Sequence, residues 1–162
     1  PSIRAVSRNA DGMARAKLRH IFENVLTLDD VVALGPDILA AIDQVAPADT
    51  MFGNEIRMGG LRALGKYHFK EAIPVSVKFA ATQSPHGSES RMGEIMKVLV
   101  TYGTAARPVV PRLKEVIAAC NLQLKNGQFP KDCNDRRVAA LEAAIKAIEE
   151  ATTAPELRSM TK

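Results

Sequence analysis

Tryptophan is missing from this chain, and aromatic residues of all kinds make up only 4% of its 162 positions. That scarcity counts against a face built to hold nucleic acid. Cysteine is nearly absent too. Cys120 and Cys133 stand 13 residues apart with no accompanying ligand cluster, so neither a zinc site nor a redox pair is indicated. They flank one loop, and both a disulfide and two separate thiols remain open. No apolar run approaches the roughly 18 residues that span a bilayer, which argues against membrane insertion. No secretory signal pattern opens the chain. The first residue is Pro1, which reads as a piece of a longer protein, so location stays open.

The familiar chemical motifs are missing as well. The sequence holds no Gly-x-Ser-x-Gly elbow, no phosphate-binding Walker loop and no His-Glu-x-x-His pair. Charge of one sign is not concentrated: 22 basic residues are interspersed with 18 acidic ones, for a net charge of +4. The densest basic stretch, Arg15 to Arg19 with His20, reads as a solvated helix face. From these absences the expectation is a protein that is no enzyme, with no catalytic, cofactor-binding or metal-ligating residues and no cofactor. No segment carries a strand signal that survives tests of length and alternation.

What is present is repetition. Proline sits inside an apolar run at Pro36, Pro74 and Pro111, at intervals of 38 and 37 residues. A second series interleaves with it: Arg57-Met58-Gly59-Gly60-Leu61, Arg91-Met92-Gly93-Glu94-Ile95 and Arg137-Val138-Ala139-Ala140-Leu141. Self-similarity at this period marks units that bury their apolar faces only against neighbours. Helices are predicted over 11–26, 36–46, 54–67, 73–82, 88–102, 109–121 and 136–150, with a short helical segment opened by Asp29-Asp30 and ending at Gly35. Pro36 and Pro74 open helices where a missing N–H costs nothing. The stretch 122–132, with Asn126-Gly127 and Pro130, reads as an insertion, and 152–162 as a loosely attached tail.

Helices joined by short turns in this rhythm predict an all-α, right-handed α-solenoid of about four stacked antiparallel helix pairs. One domain over 1–151 would hold repeats at 11–46, 50–83 and 88–121, with 134–150 as a terminal half-repeat. The stretch Arg57-Met58-Gly59-Gly60-Leu61-Arg62-Ala63-Leu64-Gly65-Lys66, followed by Glu71-Ala72-Ile73-Pro74, resembles a HEAT repeat of the short bacterial kind. Arg91 to Leu113 is a second copy. The whole span resembles HEAT-like C-terminal regions of large multidomain bacterial proteins. The resemblance implies an armadillo-type superhelix that serves as a non-enzymatic interaction or scaffold module. Its partner would be a protein segment or a neighbouring domain. A basic concave face for nucleic acid, or a lyase of the HEAT-like kind, is the alternative.

Candidate sites follow from the repeats. The second helix of each pair would line the concave side, exposing Asp37, Asp43, Gln44, Ser76, Lys78, Arg112, Lys114 and Glu115. Of these, Lys78, Arg112, Lys114 and Glu115 are the candidate partner-binding residues, together with Tyr67 and His68 on the rim. Tyr67-His68-Phe69-Lys70-Glu71 is the densest chemistry in the chain, yet no second His or Cys falls at ligand spacing. Arg57, Arg91 and Arg137 are expected to tie adjacent units together through carboxylates or helix-end carbonyls. Gly59, Gly60 and Gly93 are expected to admit close helix approach, compensating the roughly 1 kcal/mol that glycine costs inside a helix.

Overall fold

A computed structural model describes residues 3–8, 12–43, 51–83 and 88–160. Every regular element among them is helical: α1 (Ile3–Ser7), α2 (Gly12–Asn24), α3 (Leu28–Asp43), α4 (Gly53–Lys66), α5 (Ala72–Ala81), α6 (Ser88–Val100), a 3₁₀ helix (Gly103–Val109), α7 (Val110–Lys125) and α8 (Lys131–Glu150). No strand is found among the described residues, so the all-α expectation holds. Asn9, Asp11, Asp49 and Thr50, whose side chains are of the type that caps a helix start, lie outside the described residues. So do the end of the second predicted helix, including Gln44 and Val45, and most of the loop around His86.

The chain divides into two compact units, Pro1–Val75 with Leu157–Lys162, and Ser76–Glu156. In the first unit α4 packs against both α2 and α3, and α1 lies against the same two helices. The core there is built from Leu18, Phe22, Val31, Ile38, Ile42, Ile56, Leu61 and Leu64, all buried. In the second unit α8 packs against both α6 and α7, with the 3₁₀ helix beside them. Met92, Ile95, Leu99, Tyr102, Leu113, Leu141 and Ile148 fill that core.

The proline at 36 does not begin a helix. It sits inside α3, which runs unbroken from Leu28 to Asp43. Proline removes one intrahelical hydrogen bond there. Val31, Gly35, Ile38 and Ile42 nevertheless fall at i, i+4, i+7 and i+11, a single buried stripe on both sides of an exposed Pro36. Burial along that stripe outweighs one missing bond.

The N-terminus of α3 is closed by a reciprocal capping box. The Thr27 N–H donates to Asp30 Oδ2 at 2.9 Å and the Asp30 N–H donates to Thr27 Oγ1 at 3.3 Å. The Thr27 hydroxyl also donates to Asp30 Oδ2, at 2.6 Å. These bonds, the hydroxyl's first, hold the Asp30 carboxyl below its ordinary value. A carboxyl with a depressed folded-state value contributes stability that is present above its unfolded value, about 3.9, and is lost as pH falls through the folded one. Thr27→Ala is expected to cost about 1 kcal/mol at neutral pH. The stability gap between the wild type and Asp30→Asn should close on acidification below about pH 4, measured by thermal melts across pH.

The insertion between α7 and α8 is shorter than the spacing suggests. α7 continues to Lys125 and α8 begins at Lys131, leaving five residues between them. Gly127, with φ 69°, gives its N–H to Leu124 O, and the Gln128 N–H reaches Gln123 O. This is a Schellman end, and glycine at its left-handed position is the residue that carries no Cβ penalty.

Candidate functional site

The C-terminal end of α4 ends in the same motif with a different residue. The His68 N–H donates to Gly65 O at 3.1 Å and the Phe69 N–H to Leu64 O at 3.1 Å. His68 holds the left-handed position at φ 53°, a conformation that costs a non-glycine residue about 1–2 kcal/mol. Buried Phe69 and Leu64 are the hydrophobic pair that accompanies such an end. Tyr67 lies half-buried, its hydroxyl 3.4 Å from Leu26 O and its ring under Lys66 Nζ at 5.0 Å.

Turning His68 into this conformation leaves its carbonyl and the Lys70 N–H side by side and unused by the helix. An extended segment of the same chain takes both. Arg158 donates its N–H to His68 O at 3.0 Å and accepts from the Lys70 N–H at 2.9 Å, forming a parallel bridge between Phe69 and Arg158. Beside it, one carboxylate oxygen of Glu71 accepts from the Ser159 hydroxyl at 3.0 Å and from the Met160 N–H at 3.1 Å. The Met160 side chain lies over Gly35 on α3, where even a single added carbon would stand 3.1 Å from its Cγ. The segment expected to hang loosely is therefore tied down by four hydrogen bonds and one side-chain contact.

The remaining candidate residues are scattered by comparison. Lys78 on α5 and Arg112, Lys114 and Glu115 on α7 are all exposed. Arg112 pairs with Glu115, and Lys114 pairs with Glu149 at 3.0 Å. Ser76, expected on the exposed face, is instead fully buried, because it shares α5's inner stripe with Ile73, Val77 and Ala80. Asp37 is ion-paired with Arg4, and Asp43 is exposed. Gln44 and His86 lie outside the described residues.

The basic stretch Arg15–Arg19 is not one face either. At 100° per residue the helix turns Arg15 inward, to 2% exposure, where its Nε donates to Met51 O. Lys17 and His20 stay outside, while Glu23 takes both Arg19 and Arg62.

The three repeat arginines do share a role. Arg57 Nε donates to Ile42 O at the end of α3, and burial lowers its guanidinium's affinity for the proton. Arg91 Nε reaches Gln83 Oε1 at 2.8 Å, and Gln83 in turn donates to Phe79 O near the end of α5. Arg137 Nη1 reaches Gln123 Oε1 at 3.3 Å, near the end of α7, with its guanidinium 4.0 Å over the Phe129 ring. Each ties the helix that bears it to the end of the one before. A carbonyl serves once and a glutamine amide twice, where carboxylates or carbonyls were expected.

Close approach explains two of the three helix glycines. A Cβ on Gly59 would sit 3.3 Å from Arg19 O, and one on Gly60 would sit 2.7 Å from Ile42. Gly93 differs: nothing lies within 4 Å of its missing Cβ, and it borders an apolar hollow of about 320 Å³ lined also by Met96, Lys97, Val100, Ala140, Ala143 and Ala144.

Both cysteines are buried thiols. Burial pushes each thiol up, and for Cys133 the neighbouring Glu89 adds to this, since its carboxylate accepts the S–H at 3.4 Å. Thiols kept protonated and away from solvent are poor nucleophiles, so their place here is packing. Among the described residues no three His, Cys, Asp or Glu side chains converge on a point that could hold a metal, and no helix is long and apolar enough to cross a membrane. No family model, curated protein or solved structure matches this chain.

The sequence placed Tyr67 and His68 in a candidate site but missed Gly35, Arg158, Ser159 and Met160. Glu71 was placed in the same dense Tyr67–Glu71 segment, but its bonds to Ser159 and Met160 were not foreseen. The partners of Glu71 lie 88 and 89 residues away, and no local pattern joins residues at that separation.

Proposed function

We propose that this chain is a HEAT-like α-solenoid module whose work is to bind protein rather than to catalyse a reaction. The observation that supports this most is a packing pattern that occurs in both units: a third helix, α4 or α8, lies across the two helices before it. Helix pairs stacked in a superhelix pack in this way, each new first helix resting on both members of the previous pair. The recurrent arginine at Arg57, Arg91 and Arg137, reaching back to the preceding helix end, supports the same reading.

The proposed binding surface is the outer side of the second helices. Lys78, Arg112 and Lys114 are exposed there, with Glu115 beside them. Cations so placed suit an acidic protein segment, for which charge complementarity sets encounter rate and register. The triple neutral substitution Lys78→Gln, Arg112→Gln, Lys114→Gln is the test. Exposed ion pairs contribute about 0–1 kcal/mol each, so the melting temperature should move little. A fluorescent Asp/Glu-rich decapeptide should bind the wild-type chain in a salt-sensitive manner and bind the triple variant at least several-fold more weakly. A 20-base-pair DNA duplex should bind no better than the roughly 10⁻⁴ M of non-specific contacts at physiological salt. Sub-micromolar duplex binding would favour the nucleic-acid reading, and peptide binding indifferent to the three substitutions would remove this face from the proposal.

A further inference from the structure

The contacts that hold Leu157–Met160 have the chemistry of peptide recognition. Two backbone hydrogen bonds fix an extended segment at Arg158, a carboxylate accepts from the O–H and N–H donors that follow, and the bare face of Gly35 takes the Met160 side chain. Main-chain bonds that give affinity, with a side-chain hollow that gives selectivity, are the parts of strand addition. We propose that the end of α4, with Glu71 and the bare face of Gly35, is a peptide-docking site, and that in trans it takes the Leu157–Met160 segment of a second copy of this chain.

Three observations carry this. First, the site is built before it is filled. His68 holds its left-handed conformation through bonds within α4's own end, and that conformation places the accepting carbonyl beside the Lys70 N–H. The second Glu71 oxygen is buried without a hydrogen-bond partner, so the carboxylate's hydrogen bonds to Ser159 and Met160 are both made by the other oxygen. Second, nothing in the docking depends on the segment arriving from its own chain. Thr153 is anchored separately, its carbonyl accepting from the Thr104 N–H at 2.9 Å, and only Ala154, Pro155 and Glu156 separate that anchor from Leu157. Ala154–Glu156 carry no helix. A short connection between two well-held segments is where exchange between copies occurs at low cost. Third, the occupant is specified by the site. A carboxylate that accepts from two donors repels acidic segments, and the bare face of Gly35 admits the Met160 side chain where a Cβ would stand 3.1 Å from its Cγ. Leu157-Arg158-Ser159-Met160 is the sequence shown to satisfy both conditions, and every copy of the chain presents it.

In one chain the tether makes the tail's effective concentration about millimolar, so the wild type should be mainly monomeric at micromolar concentration. Complementation exposes the trans reaction. One full-length variant, Glu71→Lys, keeps the tail and loses the site. A second, Arg158→Pro with Met160→Asp, keeps the site and loses the tail. Each alone should sediment as a monomer, and an equimolar mixture should yield a species of twice the 17.5 kDa chain mass. Circular dichroism of each variant establishes that it is folded. A labelled peptide of sequence Ala154–Met160 should bind the tail-defective variant saturably, and at least ten-fold more weakly once Glu71→Lys is added. Should either variant fail to fold, the wild-type chain taken to about 2 mM serves instead, since mass action must then produce dimer. Monomeric mixtures, peptide binding indifferent to Glu71→Lys, or a wild-type chain still monomeric at that concentration would each overturn the proposal. Loss of the acidic-peptide binding described above would not touch it, because Lys78, Arg112 and Lys114 take no part here.

Discussion

Leu61→Ala and Leu99→Ala are each expected to destabilise the chain by roughly 2–5 kcal/mol. Leu61 on α4 belongs to the core of the first unit and Leu99 on α6 to that of the second, and neither exposes any surface. Truncating either removes transfer free energy and leaves a cavity that neighbouring helices fill only in part. With total stabilities of about 5–15 kcal/mol, a loss of this size moves the urea midpoint far outside error. Lys125→Ala, at the exposed end of α7, is the control and should stay within about 0.5 kcal/mol. Two units also make a finer outcome readable. If they unfold separately, each substitution will shift one transition of a biphasic curve; a single shared transition displaced by both would mean that they unfold together.

Gly103→Ala should be the most damaging of the small substitutions. Gly103 sits at φ 51°, where an L side chain costs about 1–2 kcal/mol, and a Cβ there would lie 2.1 Å from the Thr153 carbonyl oxygen. That neighbour is backbone, so the segment after α8 must move and the bond from the Thr104 N–H to Thr153 O is strained or lost. Adding an overpacking term of about 1–3 kcal/mol gives an expected loss of roughly 2–5 kcal/mol. Gly127→Ala separates the two causes. Its φ of 69° carries the same backbone penalty, but nothing lies within 4 Å of the new carbon, so about 1–2 kcal/mol is expected. Equal losses at the two positions, by thermal or urea denaturation, would show that the contact with Thr153 contributes nothing.

Local periodicity fixed most of the helices. The stripe of α4 could be read from Ile56, Leu61 and Leu64, and the face of α6 from Ile95, Met96 and Leu99, because a helix repeats every 3.6 residues and its buried side is written in that interval. The arginine series was legible because Arg57, Arg91 and Arg137 recur in similar local sequence, and each reaches back toward the end of the preceding helix. Where two local signals competed, the sequence could not rank them. Pro36 reads as a helix start by its chemistry, and only the continuous burial of Val31, Gly35, Ile38 and Ile42 shows that α3 runs through it. Gly60 and Gly93 look alike in the sequence, yet one faces Ile42 and the other an open hollow, since what a helix glycine meets belongs to the neighbouring helix. Ser76 and Arg15 were misplaced because polarity alone suggested solvent, whereas helical register turned both inward. The docking of Leu157–Met160 was decided by tertiary structure altogether. Its contacts are backbone groups, one carboxylate and the bare face of a glycine, none of which leaves a periodic or compositional trace, and the partners of Glu71 lie 88 and 89 residues from it.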